Sequence, residues 1–248
     1  MTCRRWLVGV VGLLTFTGSA RPDHPAATVV VSSSSRIAPL YGMPHIPLDS
    51  LPADLRSRIQ SVLEHPSLSS KGPVETFNAD AGTYRWLLEH PGVDVQLWRL
   101  LGARVTDITD QGGTYHWNDG QGSDLHWRIV YRDSGTQAWF AEGKLKPALL
   151  VPASSFRAFV VLKYTTGKDL TDKPAVRHQV HFLLRCDSGA MALAARILGA
   201  SAPRLAEQYL GQLQLFYGGL AWYLSQDTVR ADKLFQRIGM KTPEFVSP

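Results

Sequence analysis

The chain has 248 residues, of which 44% are hydrophobic and 19% are charged, and its formal net charge at neutral pH is +5. These values are typical of a globular protein that can bury a sizeable core. The basic residues are scattered instead of forming a run, a patch or a stripe, which argues against a nucleic-acid partner. The sequence contains no Gly-x-Ser-x-Gly, no glycine-rich phosphate loop and no His-Glu-x-x-His, so it names neither a reaction nor a cofactor.

The first twenty residues have the order of a secretory signal peptide. Arg4 and Arg5 give a positive start, residues 6–16 form an apolar run too short to span a bilayer, and small residues at 18–20 offer a cleavage point. We expect cleavage near Ala20 and export, to the periplasm or the medium. The alternative is an uncleaved N-terminal anchor.

The rest of the chain is predicted to have four parts. Residues 21–50 are rich in proline, serine and alanine, and we interpret them as a flexible or loosely docked linker. Residues 51–72 are predicted to add an N-terminal helix, residues 73–238 the main domain and residues 239–248 a tail. After cleavage one cysteine remains, so we expect no internal disulfide, and the packed core must stabilise the fold.

Capping residues and prolines mark the first helices. Ser50 is expected to cap the N-terminal helix, with Pro52 in its first turn. A second helix is predicted to follow Asp80 and to stop at Pro91. A third is predicted at residues 93–101, where apolar residues recur at helical spacing.

Residues 104–186 are predicted to form six consecutive antiparallel strands, and residues 74–78 a short additional one. In residues 156–164 and 177–186, bulky apolar side chains occupy even positions, whereas odd positions include most of the basic ones. Because side chains alternate along a strand, this pattern predicts one face toward the core and one toward solvent. Residues 165–175 are long for a hairpin connection and are expected to form a mouth or lid.

The registers of two hairpins decide which other side chains share the inner face. A turn with two glycines between residues 118 and 124 places His116 opposite His126 and Tyr115 opposite Trp127. A second turn, centred on residues 132–135, would place Trp127 opposite Phe140. The predicted inner face then carries Tyr115, Trp117, Leu125, Trp127, Ile129, Ala138 and Phe140.

Helical spacing predicts further helices at residues 188–198 and at about 201–225. The second is free of charge over most of its length, so a membrane span is one alternative. Its glutamines and the pair Gly218-Gly219 favour a helix buried against the sheet instead. The glycine pair would allow a close approach or a slight bend, and Asp227 is expected to cap a last helix.

This order of elements resembles the helix-grip fold of the START-like superfamily, which includes polyketide cyclase-like and Bet v 1-like proteins. The resemblance covers about residues 73–225, and it depends on the helix pair that ends in Trp98 and on the long apolar helix after the last strand. It implies an α+β fold in which a curved antiparallel sheet of about seven strands grips the C-terminal helix around an apolar cavity. The break at 199–201 departs from the superfamily's single unbroken helix.

The resemblance also implies a function. Members bind lipids, sterols, polyketides or other hydrophobic molecules, and a minority are enzymes. We therefore expect an exported protein that binds a hydrophobic or lipid-like molecule, with no cofactor and with peripheral membrane contact. A packed core without a ligand is the alternative. The candidate ligand-binding residues are Tyr115, Trp117, Trp127, Phe140, Tyr164, Phe182, Phe216 and Leu220.

Two pairs of polar residues are candidates for chemistry. Glu142 and His178 both fall on the predicted inner face, where an acid and an imidazole would suit an acid–base enzyme of the cyclase or hydratase type. The alternative is a pair of polar groups at a cavity rim. His116 and His126 face each other across a hairpin, but a metal site needs three or four ligands and the sequence places no third. We therefore expect no metal.

Overall fold

The computed structural model describes residues 37, 38, 40, 42–146, 153–186 and 202–244, with residues 202–206, 208 and 209 described by their backbone alone. The predicted signal peptide and the predicted helix at 188–198 lie outside these residues. The helices are α1 Ala53–Glu64, α2 Ala81–Glu89, α3 Pro91–Leu100, α4 Ala202–Gln226 and α5 Thr228–Arg237. The strands are β1 Leu68–Lys71, β2 Glu75–Phe77, β3 Thr109–Asp110, β4 Thr114–Asn118, β5 Asp124–Arg132, β6 Thr136–Leu145, β7 Ser154–Lys168 and β8 Pro174–Cys186.

The strands form one curved antiparallel sheet in the order β1-β8-β7-β6-β5-β4-β3, with β2 also paired to β8. The predicted α+β fold class is confirmed, with eight strands instead of about seven. The additional strand is β1, whose sequence Leu-Ser-Ser-Lys lacks the β-branched and aromatic residues that signal a strand. Helix α1 and β1 precede the predicted main domain, yet β1 belongs to the same sheet, where it pairs with β8 at one edge.

Helix α4 lies on the inner face of the sheet. Gln214 is buried, accepts a hydrogen bond from the backbone N–H of Val180 at 3.2 Å and donates one to the carbonyl of Pro73 at 2.8 Å. The indole of Trp98 donates to the carbonyl of Phe216 at 2.9 Å, which connects α3 to α4. The glutamine that argued against a membrane span therefore fastens the helix to the sheet.

The close approach predicted at the glycine pair occurs at Gly218. A Cβ atom added there would lie 3.0 Å from the ring of Phe77 and 3.1 Å from Cε1 of His178. Glycine thus lets the backbone of α4 rest on β2 and β8, which offsets its cost in helix propensity.

The outer face of the sheet is partly covered by α1. Leu55, Ile59 and Val62 of this helix belong to a second hydrophobic cluster, together with side chains of β6, β7 and β8. The face that was predicted to be exposed to solvent is therefore apolar beneath α1 and polar elsewhere. The sheet residues of this cluster are Ala138, Phe140, Phe159, Val161 and Leu183.

The predicted register between β5 and β6 was wrong. An irregularity between Ile129 and Tyr131 shifts the pairing, so that Trp127 lies opposite Ala141 instead of Phe140. A shift of one residue exchanges the two faces of a strand. Ala138, Phe140 and Glu142 consequently belong to the outer face, whereas Trp139 and Ala141 join the inner cluster.

Several boundaries also differ from the prediction. The expected lid at 165–175 is mostly strand, because β7 and β8 continue pairing as far as Lys168 and Pro174 and leave a short turn. Pro91 begins α3 instead of only ending α2, and Pro52 occupies the position before α1. Two predicted caps are confirmed, since Asp80 accepts from the N–H of Thr83 and Asp227 from that of Arg230.

Candidate ligand site

The space between the inner face of the sheet and α4 contains most of the predicted ligand-binding residues. Phe140 is the exception, because it packs beneath α1 on the opposite face. The others belong to one buried cluster on the inner side: Tyr115, Trp117, Trp127, Tyr164, Phe182, Phe216 and Leu220. The structure thus brings seven of the eight predicted residues together.

Small residues form a shallow trough across the centre of this inner face. Cross-strand pairing aligns Trp127, Ala141, Ala158 and Leu184 in one row on β5, β6, β7 and β8. Gly143 lies two residues beyond Ala141, where an added Cβ would meet the backbone oxygen of Asp124 on β5. Because the two alanines stand between large side chains, the sheet surface is lowest at its centre.

The interior has two parts that differ in how their polar groups are paired. The part around His178, Tyr84 and Glu75, whose side chains hydrogen-bond to one another, is called the closed end below. The inner-face residues Trp117, Trp127 and Ala141, together with Tyr217 and Asp94, are called the open end.

Asp94 is the most unusual polar group of the open end. It lies in the first turn of α3 and is completely buried, and neither carboxyl oxygen has a hydrogen-bond partner within the described part of the chain. Burial raises the pKa of Asp94 well above the ordinary value of 3.8. A neutral carboxylic acid at this position can both donate and accept a hydrogen bond.

Two further polar groups belong to the open end. The indole Nε1 of Trp117 is buried and has no partner among the described residues. The pKa of Tyr217 is raised by burial and by the charge of Asp94, which places the two side chains within electrostatic reach. The ring of Tyr217 stacks on Trp139, with centroids 6.2 Å apart and planes 11° apart. The open end therefore combines aromatic walls with several polar groups that could bind a guest.

The closed end contains a hydrogen-bond chain of three side chains. Nε2 of His178 lies 3.0 Å from a carboxylate oxygen of Glu75, and Nδ1 lies 2.6 Å from the hydroxyl of Tyr84. Since the Glu75 carboxylate accepts only, Nε2 carries the proton, and Nδ1 accepts from the tyrosine. Pairing of β2 with β8 sets Glu75 opposite His178, and α2 contributes Tyr84.

Burial keeps the inner members of this chain uncharged. It lowers the pKa of His178 against an opposing effect of Glu75, and it raises the pKa of Tyr84 well above 10.0. Phe77 and Tyr164 pack edge-on against Tyr84, with centroid distances of 5.6 Å and 5.4 Å. These hydrogen bonds connect α2, β2 and β8. The polar groups of the three side chains are paired with one another.

Glu142 takes no part in this interior. It lies on the outer face, where it forms an ion pair with Arg58 of α1 and a weaker contact with Arg157 at 3.9 Å. The predicted partnership between Glu142 and His178 was therefore wrong, because the two residues are on opposite faces of the sheet. The carboxylate beside His178 is Glu75 instead.

The predicted cross-strand pair of His116 and His126 is confirmed, since the two residues are opposite each other in β4 and β5. Their rings stack with centroids 4.4 Å apart and planes 18° apart. Asp124 lies beside both, with its two carboxylate oxygens 2.9 Å and 3.0 Å from their Nε2 atoms. Asp124 lies two residues before His126 on β5, so it shares a face of the sheet with both histidines. The sequence prediction did not identify it as a third ligand.

Four interior residues were also missed by the sequence analysis. Asp94 and Tyr84 lie on helices whose packing the periodic pattern did not specify, and an acid in a first helical turn is ordinary. Glu75 was within a predicted strand, but its pairing with β8 joins residues about a hundred positions apart. Tyr217 lies within the apolar pattern of α4, which is as typical of a core residue as of a binding residue.

Within the described residues, no helix is both long enough and apolar enough to cross a membrane.

Comparisons with known proteins show no family and no close relative. No protein-family model matches the chain, and no curated protein matches it. Among solved structures, a conserved protein from Geobacillus kaustophilus is 12% identical with a TM-score of 0.40, over 60% of this chain and 95% of that one. A hypothetical protein from Helicobacter pylori is 11% identical with a TM-score of 0.40, over 75% of this chain and 98% of that one.

A third similar structure is the di-domain ARO/CYC BexL from the BE-7585A biosynthetic pathway. It is 15% identical with a TM-score of 0.37, over 68% of this chain and 54% of that one. At such identities and TM-scores these likenesses carry no argument about family or ligand.

Proposed function

We propose that this protein binds a hydrophobic small molecule at the open end, between the sheet and α4. The observation that carries the proposal is the completely buried Asp94, whose carboxyl has no partner in the described chain. A buried polar group without a hydrogen bond costs about 1–3 kcal/mol of stability. A guest that hydrogen-bonds to this acid would remove that cost.

The surroundings indicate what the guest would be like. Ligand pockets are lined mainly by apolar and aromatic side chains with a few polar groups that fix orientation. The open end has this composition, with Trp127 and Trp139 as apolar walls and Asp94 and Trp117 as polar contacts. We infer an apolar molecule of the lipid, sterol or polyketide kind that carries at least one polar group.

Export is part of the same proposal. Residues 1–20 have the composition of a signal peptide, which supports a binding protein of the periplasm or the medium. Such a carrier would exchange its guest at membranes by peripheral contact. An N-terminal fusion of residues 1–20 to a reporter tests export, and retention of the reporter in the cytoplasm would contradict it.

An enzyme in the same interior is the second candidate. The observation that favours it is again Asp94, because burial raises its pKa and so favours the protonated form that a general acid needs. Incubation of the protein with a bound guest separates the two functions. A carrier returns the guest with unchanged mass, whereas a cyclase or hydratase returns a product that lacks or gains water.

Native mass spectrometry of protein purified from its own host tests the binding proposal. We expect a co-purified small molecule that solvent extraction recovers. Ala141→Leu fills the trough and should lose the guest, whereas Phe140→Leu, on the next residue but the opposite face, should keep it. Wild-type protein without any guest, or equal retention by both variants, would overturn the proposal.

A further inference from the structure

The polar part of the outer face carries a cluster of metal-ligating side chains that the interior site does not use. His116, Asp124 and His126 each offer one donor atom, and the three atoms all lie within 4.8 Å of one another. The residues belong to β4 and to the first part of β5, which pairs with the whole of β4. We propose that these three residues bind a divalent transition metal ion, with Zn²⁺ as the best-fitting physiological ion.

The donor set determines the class of metal. Two imidazole nitrogens and one carboxylate oxygen suit zinc, copper, nickel and ferrous iron, whereas calcium and magnesium prefer sites made of oxygen atoms alone. Zinc sites with three protein ligands keep a further position for water. Asp124, His116 and His126 are each partly exposed, so an ion and its water can reach them.

The three donors are close enough for small side-chain rotations to bring them onto one ion. Zinc lies about 2.0–2.1 Å from each nitrogen or oxygen donor, which corresponds to donor separations of roughly 3.3 Å in a tetrahedral site. The carboxylate oxygens are already 2.9 Å and 3.0 Å from the two Nε2 atoms. Binding through Nε2 requires each neutral ring to carry its proton on Nδ1, and the hydrogen bonds to Asp124 are then replaced by bonds to the metal.

Neighbouring side chains support this arrangement. The amide of Asn118 donates to Asp124 at 3.0 Å and so orients the carboxylate, as residues around metal ligands commonly do. Glu142 lies opposite His126 in the sheet, but its carboxylate is paired with Arg58. The site therefore has three ligands and excludes Glu142 as a fourth.

Calorimetric titration of the chelator-treated full chain with Zn²⁺ tests the proposal. We expect saturation at one ion per chain, and a visible d–d absorption band when Co²⁺ is used instead. His126→Ala and the isosteric Asp124→Asn should each weaken binding about tenfold or more. His65→Ala, which removes an exposed histidine at the end of α1, should leave binding unchanged.

Two results would overturn the metal site. One is the absence of saturable Zn²⁺ binding by the wild-type chain. The other is unchanged affinity in both His126→Ala and Asp124→Asn, which would assign the bound ion to other residues. Circular dichroism of each variant without metal verifies its fold, and Asp124→Asn preserves the shape of the site if an alanine variant unfolds.

Discussion

The two ends of the interior differ in whether their polar groups are hydrogen-bonded. At the closed end, Glu75, His178 and Tyr84 satisfy one another through hydrogen bonds of 2.6 Å and 3.0 Å. At the open end, the carboxyl of Asp94 and the indole nitrogen of Trp117 are buried but have no partner among the described residues. His178 and Asp94 are both completely buried, so burial alone does not explain the difference.

This difference separates a structural polar network from a candidate binding site. A fully satisfied buried network rigidifies the core and fixes the positions of its elements. Unsatisfied buried groups reduce stability, and proteins retain few of them without a further reason. We therefore infer that the closed end stabilises the fold and that the open end binds a molecule from outside the chain.

The largest expected effect is at the closed end. His178→Ala removes the centre of the hydrogen-bond chain, leaves the hydroxyl of Tyr84 without a partner and opens a cavity beside Phe77. We expect the free energy of unfolding to fall by about 3–5 kcal/mol in urea titrations. A fall in the free energy of unfolding of less than about 1 kcal/mol would show that the hydrogen bonds among Glu75, His178 and Tyr84 do not stabilise the fold.

At the open end, we expect the removal of a buried polar group to raise the free energy of unfolding instead of lowering it. Asp94→Leu replaces an unpartnered acid with an apolar side chain, so we expect the free energy of unfolding to rise by about 1–3 kcal/mol. The same substitution should abolish binding of the co-purified guest. Destabilisation of the guest-free protein by Asp94→Leu would mean that the acid contributes to the fold.

The two ends should also differ in their dependence on pH. Burial lowers the pKa of His178, so the unfolded chain binds its proton more tightly, and this contribution to stability is lost as the pH falls below 6.5. Burial raises the pKa of Asp94, so its contribution is present at low pH and is lost as the pH rises above 3.8. Urea unfolding at several pH values tests this, with Asp94→Asn expected to lose the second dependence only.

The smallest effect is expected on the outer face. Glu142→Gln breaks an ion pair with Arg58 whose members are partly exposed, so the free energy of unfolding should fall by about 1 kcal/mol or less. Retention of the guest should be unchanged, because Glu142 is separated from the interior by the sheet. Loss of the guest in this variant would contradict the placement of Glu142.

The sequence predicted the parts of the fold that depend on regular alternation or on local capping. The inward residues of β8, such as His178 and Phe182, followed from strand parity, and Asp80 and Asp227 followed from capping chemistry. No sequence pattern indicated the irregularity between Ile129 and Tyr131. The resulting error of one residue in the register put Phe140 and Glu142 on the wrong face in the prediction. The partners of His178 come from distant elements, so no local pattern indicated them.

The central claim is that the open end has room for a guest. Ala141 and Ala138 lie on the same strand but face the trough and α1, respectively, which makes them a matched pair. Urea unfolding of guest-free Ala141→Leu and Ala138→Leu measures the room on each side. We expect the free energy of unfolding to change by no more than about 0.5 kcal/mol in Ala141→Leu and to fall by about 1–3 kcal/mol in Ala138→Leu, the usual cost of overpacking. An equal loss in both variants would show that the interior is filled by its own side chains and would contradict the presence of room for a guest.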